Sequence, residues 1–375
     1  MFRELATPCL LVEISTLQRN LARAATVASE AGVVLRPHIK THKCPELAKR
    51  QHEAGATGFT VATLAEAAAL LESGFDDIFL AYPVVEAKGC RELFDLLRSG
   101  PPAATAAEPS AARISVVIDH PDQARFLDEA ACRAGLTVPV RLEVDCGHHR
   151  CGLPPGPALV DLARTIDCLP GLFLEGVFTH AGHAYGATSP ETLAAIGRQE
   201  GEAVVTAARL LRKAGLPAPI VSVGSTPTMT VSPLVPGVTE MRPGNYVFHD
   251  AMQVALGVCG WEDCALTVLA TVIGVYPDRV VIDAGSKAVG LDRGAHGLNQ
   301  LSGFGRFLDP PDWVLARLSE EHGVVELPGG PGHVRPGDRV RFVPNHACAA
   351  VNLHSVLHVV DGERIAGTWA IRARR

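Results

Sequence analysis

Lys40 lies in the stretch LRPHIKTHKCP, residues 35–45, directly after the short apolar run Val33, Val34 and Leu35. That run reads as a buried strand, so Arg36, Pro37, His38, Ile39 and Lys40 fall where the strand ends. A lysine held by a rigid strand end and partly desolvated loses some of its preference for the ammonium form, which frees the amine as a nucleophile or base. This is the chemistry of a Schiff-base lysine. Arg36, His38, Lys40, His42 and Lys43 also read as a solvated basic loop, and the stretch alone leaves both readings open.

Two other stretches offer donors. Residues 223–228, VGSTPT, supply backbone N–H groups and hydroxyls of small residues that can cradle a phosphate, although a plain turn has the same composition. A Schiff-base lysine and a phosphate cup at one barrel mouth are together what pyridoxal phosphate requires, being held covalently by its aldehyde and electrostatically by its phosphate. Residues 344–352, PNHACAAVN, begin at the end of a strand, where positions i and i+2 project to one face, so His346 and Cys348 are placed to grip one ion. Imidazole plus thiolate favours zinc, and few protein ligands leave positions open for substrate or water. The alternative is a buried cysteine beside a hydrogen-bonded histidine. A rival donor group, His148, His149 and Cys151, is weakened because adjacent side chains in an extended segment point apart.

The elements that must position these groups repeat regularly. A first strand at 9–12 leads to a helix from the N-cap Ser15 to about Glu30. Strand-like runs follow at 33–35, 58–62, 78–81, 114–118, 138–144, 172–178 and 220–223, with an eighth near 240–242, and amphipathic segments such as 63–72, 123–134 and 191–214 lie between them. The alternation predicts an α/β fold, a (β/α)8 barrel over 14–257. A doubly wound open sheet is the runner-up, but no G-x-G-x-x-G follows the first strand. In the barrel, Lys40, Asp145, Arg150, Thr179, His180, His183, Tyr185, Gly224, Ser225 and Thr226 all fall at strand C-terminal ends. The Pro-, Ala- and Ser-rich segment 100–112 reads as a surface insertion. Beyond residue 258, short β-rich runs separated by Gly, Pro and Asp predict a smaller antiparallel β domain, 258–375, into which the N-terminal strand of 1–13 can pair.

With 375 residues, the chain exceeds what one core usually serves. A net charge of −6 gives no electrostatic footprint for nucleic acid or an anionic membrane, so neither partner is expected. No secretory leader is visible in the first twenty residues and no apolar run is long enough to span a bilayer, which predicts a soluble, cytoplasmic protein. Ten cysteines without a CxxC pair are expected to be reduced thiols, most of them small core residues.

Six motifs in order carry a resemblance: RPHIKTHK at 36–43, THAGHAYG at 179–186, SVGSTPT at 222–228, RPGNYVF at 242–248, DAGSK at 283–287 and PNHAC at 344–348. Together they resemble the D-serine dehydratase and D-threonine aldolase family of fold type III pyridoxal phosphate enzymes, over nearly the whole chain. The resemblance implies an alanine-racemase-type barrel with Lys40 carrying the cofactor and Gly224, Ser225 and Thr226 in the phosphate cup. It implies Arg150 near the pyridine O3′ and Tyr185 facing the ring, with His38, His180 and Tyr246 also among the cofactor-binding residues. His346 and Cys348 would hold a divalent ion, zinc first, with manganese or magnesium as alternatives. Dehydratases of the family resemble this chain in placing Cys two residues after His, where well-known aldolases have Asp. The reaction implied is therefore D-serine dehydration to pyruvate and ammonia, with D-threonine retro-aldol cleavage as the alternative, in a homodimer. A racemase would need a second base, commonly a tyrosine from the β domain, and no tyrosine follows Tyr276. A non-catalytic pyridoxal phosphate-binding protein would be a barrel alone.

Overall fold

A computed structural model describes residues 2–99, 112–327 and 329–374. The chain begins with β1 (Cys9–Glu13) and α1 (Ile14–Ala31) and then alternates strand and helix. In order come β2 (Val34–Leu35), α2 (Pro45–Glu53), β3 (Phe59–Val61), α3 (Leu64–Leu71), β4 (Asp77–Leu80), α4 (Ala87–Arg98), β5 (Arg113–Ile118) and α5 (Pro121–Ala134). They continue with β6 (Val138–Val144), α6 (Pro157–Asp167), β7 (Leu172–Thr179), α7 (Pro190–Lys213), β8 (Ile220–Val223), β9 (Glu240–Met241) and the short α8 (Ala251–Ala255). The antiparallel part follows: β10 (Leu266–Tyr276), β11 (Arg279–Ile282), α9 (Ser286–Val289), β12 (Gly305–Phe307), β13 (Leu315–Leu318), β14 (Gly323–Glu326), β15 (Arg339–Pro344), α10 (Ala347–Leu353), β16 (Val356–Asp361) and β17 (Arg364–Ala370). The expected insertion at 100–112 lies outside the described residues except for Ala112, which is buried. Among the described residues, no helix is long and apolar enough to cross a membrane.

These elements form two compact units. The barrel unit comprises the described residues of Ala24–Lys40 and Ala48–Gly244, and the β unit those of Met1–Arg23, Thr41–Leu47 and Asn245–Arg375. In the barrel unit eight parallel strands run in the order β2-β9-β8-β7-β6-β5-β4-β3. A parallel bridge between His38 and Thr60 joins the two ends of this sheet, with Thr60 N donating to Pro37 O at 2.8 Å. The curled parallel sheet with outer helices is the predicted barrel.

The barrel interior is charged where an apolar filling is usual. Glu240 bonds Arg36 Nε at 2.6 Å and Arg141 Nη1 at 2.7 Å, and Ser222 Oγ donates to it at 2.6 Å. Arg141 also reaches Glu175, which pairs with Arg113 at 2.8 Å, and Arg36 extends to Asp77 at 2.8 Å. Phe79 lies under the Arg141 guanidinium at 4.4 Å, so the cation is covered by a ring as well as paired. The solvated basic loop is thereby excluded: Arg36 is 4% exposed and His42 fully buried.

In the β unit, β1 pairs antiparallel with β10 and parallel with β16, with Leu10 opposite Val268 and Leu357. Leu10, Leu11 and Val12 are fully buried, which makes the N-terminal strand a central strand of the nine-stranded sheet. The order is β13-β14-β11-β10-β1-β16-β17, and β15 pairs with both β10 and β12.

Candidate active site

In the barrel unit, β2 ends at Leu35 and the chain turns into a single 3-10 turn, Ile39–Thr41, that carries Lys40. The Lys40 backbone N–H donates to His38 Nδ1 at 3.3 Å, which fixes the imidazole against the turn. Burial holds His38 well below its ordinary value, and the charges of Lys40, Arg242 and His180 add to this. A neutral imidazole ringed by three basic groups marks a place that accepts negative charge.

The loop after β8 presents that place with small residues. Gly224, Ser225 and Thr226 are buried; Gly224 N donates to Glu200 Oε1 at 2.9 Å, and Gly224 O accepts from His180 Nδ1 at 2.5 Å. Glu200, on α7, also accepts from Thr228 Oγ1 at 2.5 Å, so one buried carboxylate ties the loop down. Arg242, after β9, donates to Thr179 O at 2.7 Å and Val223 O at 3.1 Å. A Cβ built on Gly224 would come within 2.9 Å of Arg242 Nη2, so glycine is needed for this close approach. The Ser225 hydroxyl is buried and has no hydrogen-bond partner among the described residues. A buried hydroxyl without a partner, small residues and a nearby arginine fit the phosphate of pyridoxal phosphate.

After β7 the 3-10 segment Gly182–Gly186 carries His183 and Tyr185, both partly exposed. Both ring nitrogens of His183 are buried without hydrogen-bond partners among the described residues, and the ring stacks on His148 at 6.4 Å between centroids. Burial holds the His183 imidazole below its ordinary value, so it is neutral at physiological pH. Arg150 is half exposed, with Nη2 3.8 Å from Glu143 Oε1. His149 pairs with Asp145 at 2.7 Å instead of turning towards His148 and Cys151, so the rival trio does not form.

Tyr246, His346 and Cys348 belong to the β unit, where Tyr246 is buried. The metal pair is not built as its spacing suggested. Pro344 ends β15, His346 is the extended N-cap of α10, and Cys348 lies in the first turn of that helix, so strand alternation does not align them. The helix start brings the two together all the same. They are in hydrogen-bond contact, and Cys348 Sγ lies 3.3 Å from Thr41 Oγ1. Burial works against both ions, yet their mutual attraction outweighs it, lowering the Cys348 thiol and raising the His346 imidazole well above its ordinary value. An imidazole and a thiolate that together stabilise a positive charge fit a divalent ion of borderline softness. The segment is anchored around them: Ala347 N and Asn245 Nδ2 donate to Asp250 Oδ2 at 2.9 and 2.7 Å, and Asn345 Nδ2 donates to Gly303 O at 2.8 Å.

Several supporting residues had no separate place in the sequence reading. Arg242 lies inside the RPGNYVF motif and was quoted without a role. Glu200 sits in a long amphipathic helix, and Asp292, 2.6 Å from His346, sits in a Gly- and Arg-containing loop 54 residues upstream. Neither position carries a local signal, because each acts through a partner distant in sequence.

Comparison with known proteins agrees with this geometry. Residues 12–251 match the family described as alanine racemase, N-terminal domain, and residues 265–360 that described as putative serine dehydratase domain. The chain is 36% identical to a D-threo-3-hydroxyaspartate dehydratase of Delftia sp. (strain HT23), covering 97% of both chains. It is 30% identical to a D-serine dehydratase of Dictyostelium discoideum, covering 96% of this chain and 94% of the relative. The crystal structure of a D-threonine aldolase from Filomicrobium marinum superposes with a TM-score of 0.88 at 27% identity, over 100% of this chain and 97% of that one. The chain thus belongs to the D-serine dehydratase and D-threonine aldolase family of lyases, built on the alanine-racemase fold whose members use pyridoxal phosphate.

Proposed function

We propose that this chain is a pyridoxal phosphate-dependent, metal-assisted dehydratase of D-3-hydroxy amino acids that converts D-serine to pyruvate and ammonia. The observation that carries the reading is the His346–Cys348 pair, an imidazole and a cysteine sulfur brought together at the start of α10. The similarity to two dehydratases supports it. Lys40 would hold the cofactor covalently, and Gly224, Ser225 and Thr226 would take its phosphate. Arg150, His38, His180, Tyr185 and Tyr246 would complete the cofactor's surroundings, Arg150 on the side of its O3′. His346 and Cys348 hold the cation, zinc first and manganese or magnesium as alternatives. When bound, the cofactor withdraws electrons from the substrate Cα while the cation polarises the 3-hydroxyl as a Lewis acid.

The chain's own groups divide the remaining work. The Lys40 amine, in the 3-10 turn that follows β2, would act as the base that takes the Cα proton. The proton that Lys40 takes from Cα would pass to the departing hydroxyl, which then leaves as water. Arg242 keeps the phosphate loop in place through Thr179 and Val223.

D-threonine aldolase is the second reading, favoured by the likeness to the Filomicrobium marinum structure. It uses the same groups but begins by removing the hydroxyl proton. A cytoplasmic homodimer is the assembly proposed. Chelation tests the metal's part: exhaustive removal is expected to abolish D-serine turnover, and zinc to restore it. Undiminished turnover with the ion shown absent by elemental analysis overturns the metal-assisted mechanism.

A further inference from the structure

The barrel unit carries a second set of metal-binding donors on neighbouring strand ends. Asp119 follows β5, Glu143 is the penultimate residue of β6, and Cys151 lies on the loop after it. One oxygen of each carboxylate and the Cys151 sulfur all lie within 4.8 Å of one another.

The loop that delivers Cys151 is folded back onto its own strand. Leu153 N donates to Glu143 O at 3.1 Å, Asp145 N to Leu153 O at 3.0 Å, and Gly152 N to Asp119 Oδ2 at 2.9 Å. Gly152 has φ +94°, and a Cβ there would come within 2.8 Å of Asp145 N and 2.9 Å of Glu143 O. Only glycine therefore lets the loop lie this close to the strand end.

Glu143 itself points to a missing ligand. It is 7% exposed, and its carboxylate accepts no hydrogen bond from any described residue. Its nearest cation is Arg150, 3.8 Å away on a side chain that is half exposed. Burial, with Asp119 and Asp145 adding to it, pushes this carboxyl up to about 7, and the charges of Arg150 and Arg242 only partly offset it.

We propose that Asp119, Glu143 and Cys151 form a binding site for one divalent cation of borderline softness, zinc or cadmium, separate from His346 and Cys348. Two carboxylate oxygens and a thiolate are a sufficient donor set for such an ion, with water completing the coordination. Binding releases the protons held on Glu143 and Cys151, so affinity rises with pH. The cation also takes the place of Arg150 as the counter-charge of Glu143. Resting on the reading that Arg150 faces the cofactor, this makes filling the site inhibitory, so excess zinc slows an enzyme that limiting zinc activates.

The test uses holoenzyme carrying His346→Ala and Cys348→Ser, equilibrated with cadmium. Bound cation is counted by elemental analysis, and thiolate-to-metal charge transfer is followed by ultraviolet absorption. One cation per chain with a thiolate band is expected. Cys151→Ser added to this background should remove the band and weaken binding more than about tenfold, and Glu143→Gln should weaken it without altering the side chain's shape. Absence of bound cation, or a band that survives Cys151→Ser, overturns the site. The unaltered chain gives an independent reading: two cations per chain against one in Cys151→Ser is expected, and equal counts overturn the proposal. These binding readouts do not depend on turnover, so failure of the cofactor reading leaves them intact.

Discussion

Asp292 Oδ2 lies 2.6 Å from His346 Nδ1, so the carboxylate accepts the ring N–H and leaves Nε2 of the same imidazole to face a ligand. A carboxylate placed behind a ligating histidine fixes its tautomer and raises its basicity. Asp292→Asn should cost about 10- to 100-fold in cation affinity, read by competition with a chromophoric chelator. Unchanged affinity would show that the pair is structural.

Lys43 lies three positions after Lys40, and the two are expected to behave differently. Lys43 Nζ donates to Asn352 Oδ1 at 2.7 Å, which ties it to α10. Lys40→Ala should remove the cofactor's visible absorption while the chain stays folded, whereas Lys43→Ala should keep the colour. Loss of colour in Lys43→Ala alone would reverse the assignment.

Gly224→Val introduces side-chain atoms where a single Cβ already meets Arg242 at 2.9 Å. Affinity for pyridoxal phosphate should fall by more than about tenfold, with cation affinity unchanged. Parallel loss of both, or loss of neither, would contradict the phosphate cup.

The barrel interior predicts a pH dependence of stability. Burial pushes the Glu240 carboxyl up, but Arg141, Arg36 and Arg242 more than offset it and bring it down to about 2, below its ordinary 4.5. A carboxyl depressed in the folded state contributes stability that is fully present above about pH 4.5 and is lost as pH falls towards 2. Glu240→Gln should therefore destabilise by about 3 kcal/mol at neutral pH, because it leaves buried arginines short of a counter-charge, and it should flatten the acid limb. Denaturant melts of both chains between pH 3 and pH 7 check this, and parallel curves would contradict it.

The architecture was legible because short strand-like runs rich in Val, Ile and Leu, as at 114–118 and 138–144, alternate with amphipathic helical segments. The N-terminal strand's place in the β sheet was equally visible, since a short apolar strand before the first helix needs a partner. Local pattern failed where geometry depended on a boundary or on distant partners. His346 and Cys348 were read as neighbours on a strand, but Pro344 ends that strand and Cys348 belongs to the next helix. Arg141, Glu175 and Glu240 lie in three different strands, and nothing in their own segments shows that they meet inside a barrel.

Product analysis with D-serine tests the central claim most directly, because the competing reactions yield different compounds from one substrate. Purified protein supplied with pyridoxal phosphate and zinc is incubated with D-serine, and pyruvate, ammonia, glycine, formaldehyde and L-serine are quantified together. The account predicts pyruvate and ammonia in equal amounts, without glycine or L-serine. Glycine with formaldehyde would show retro-aldol cleavage and L-serine racemisation, and either as the main product would contradict the dehydratase reading.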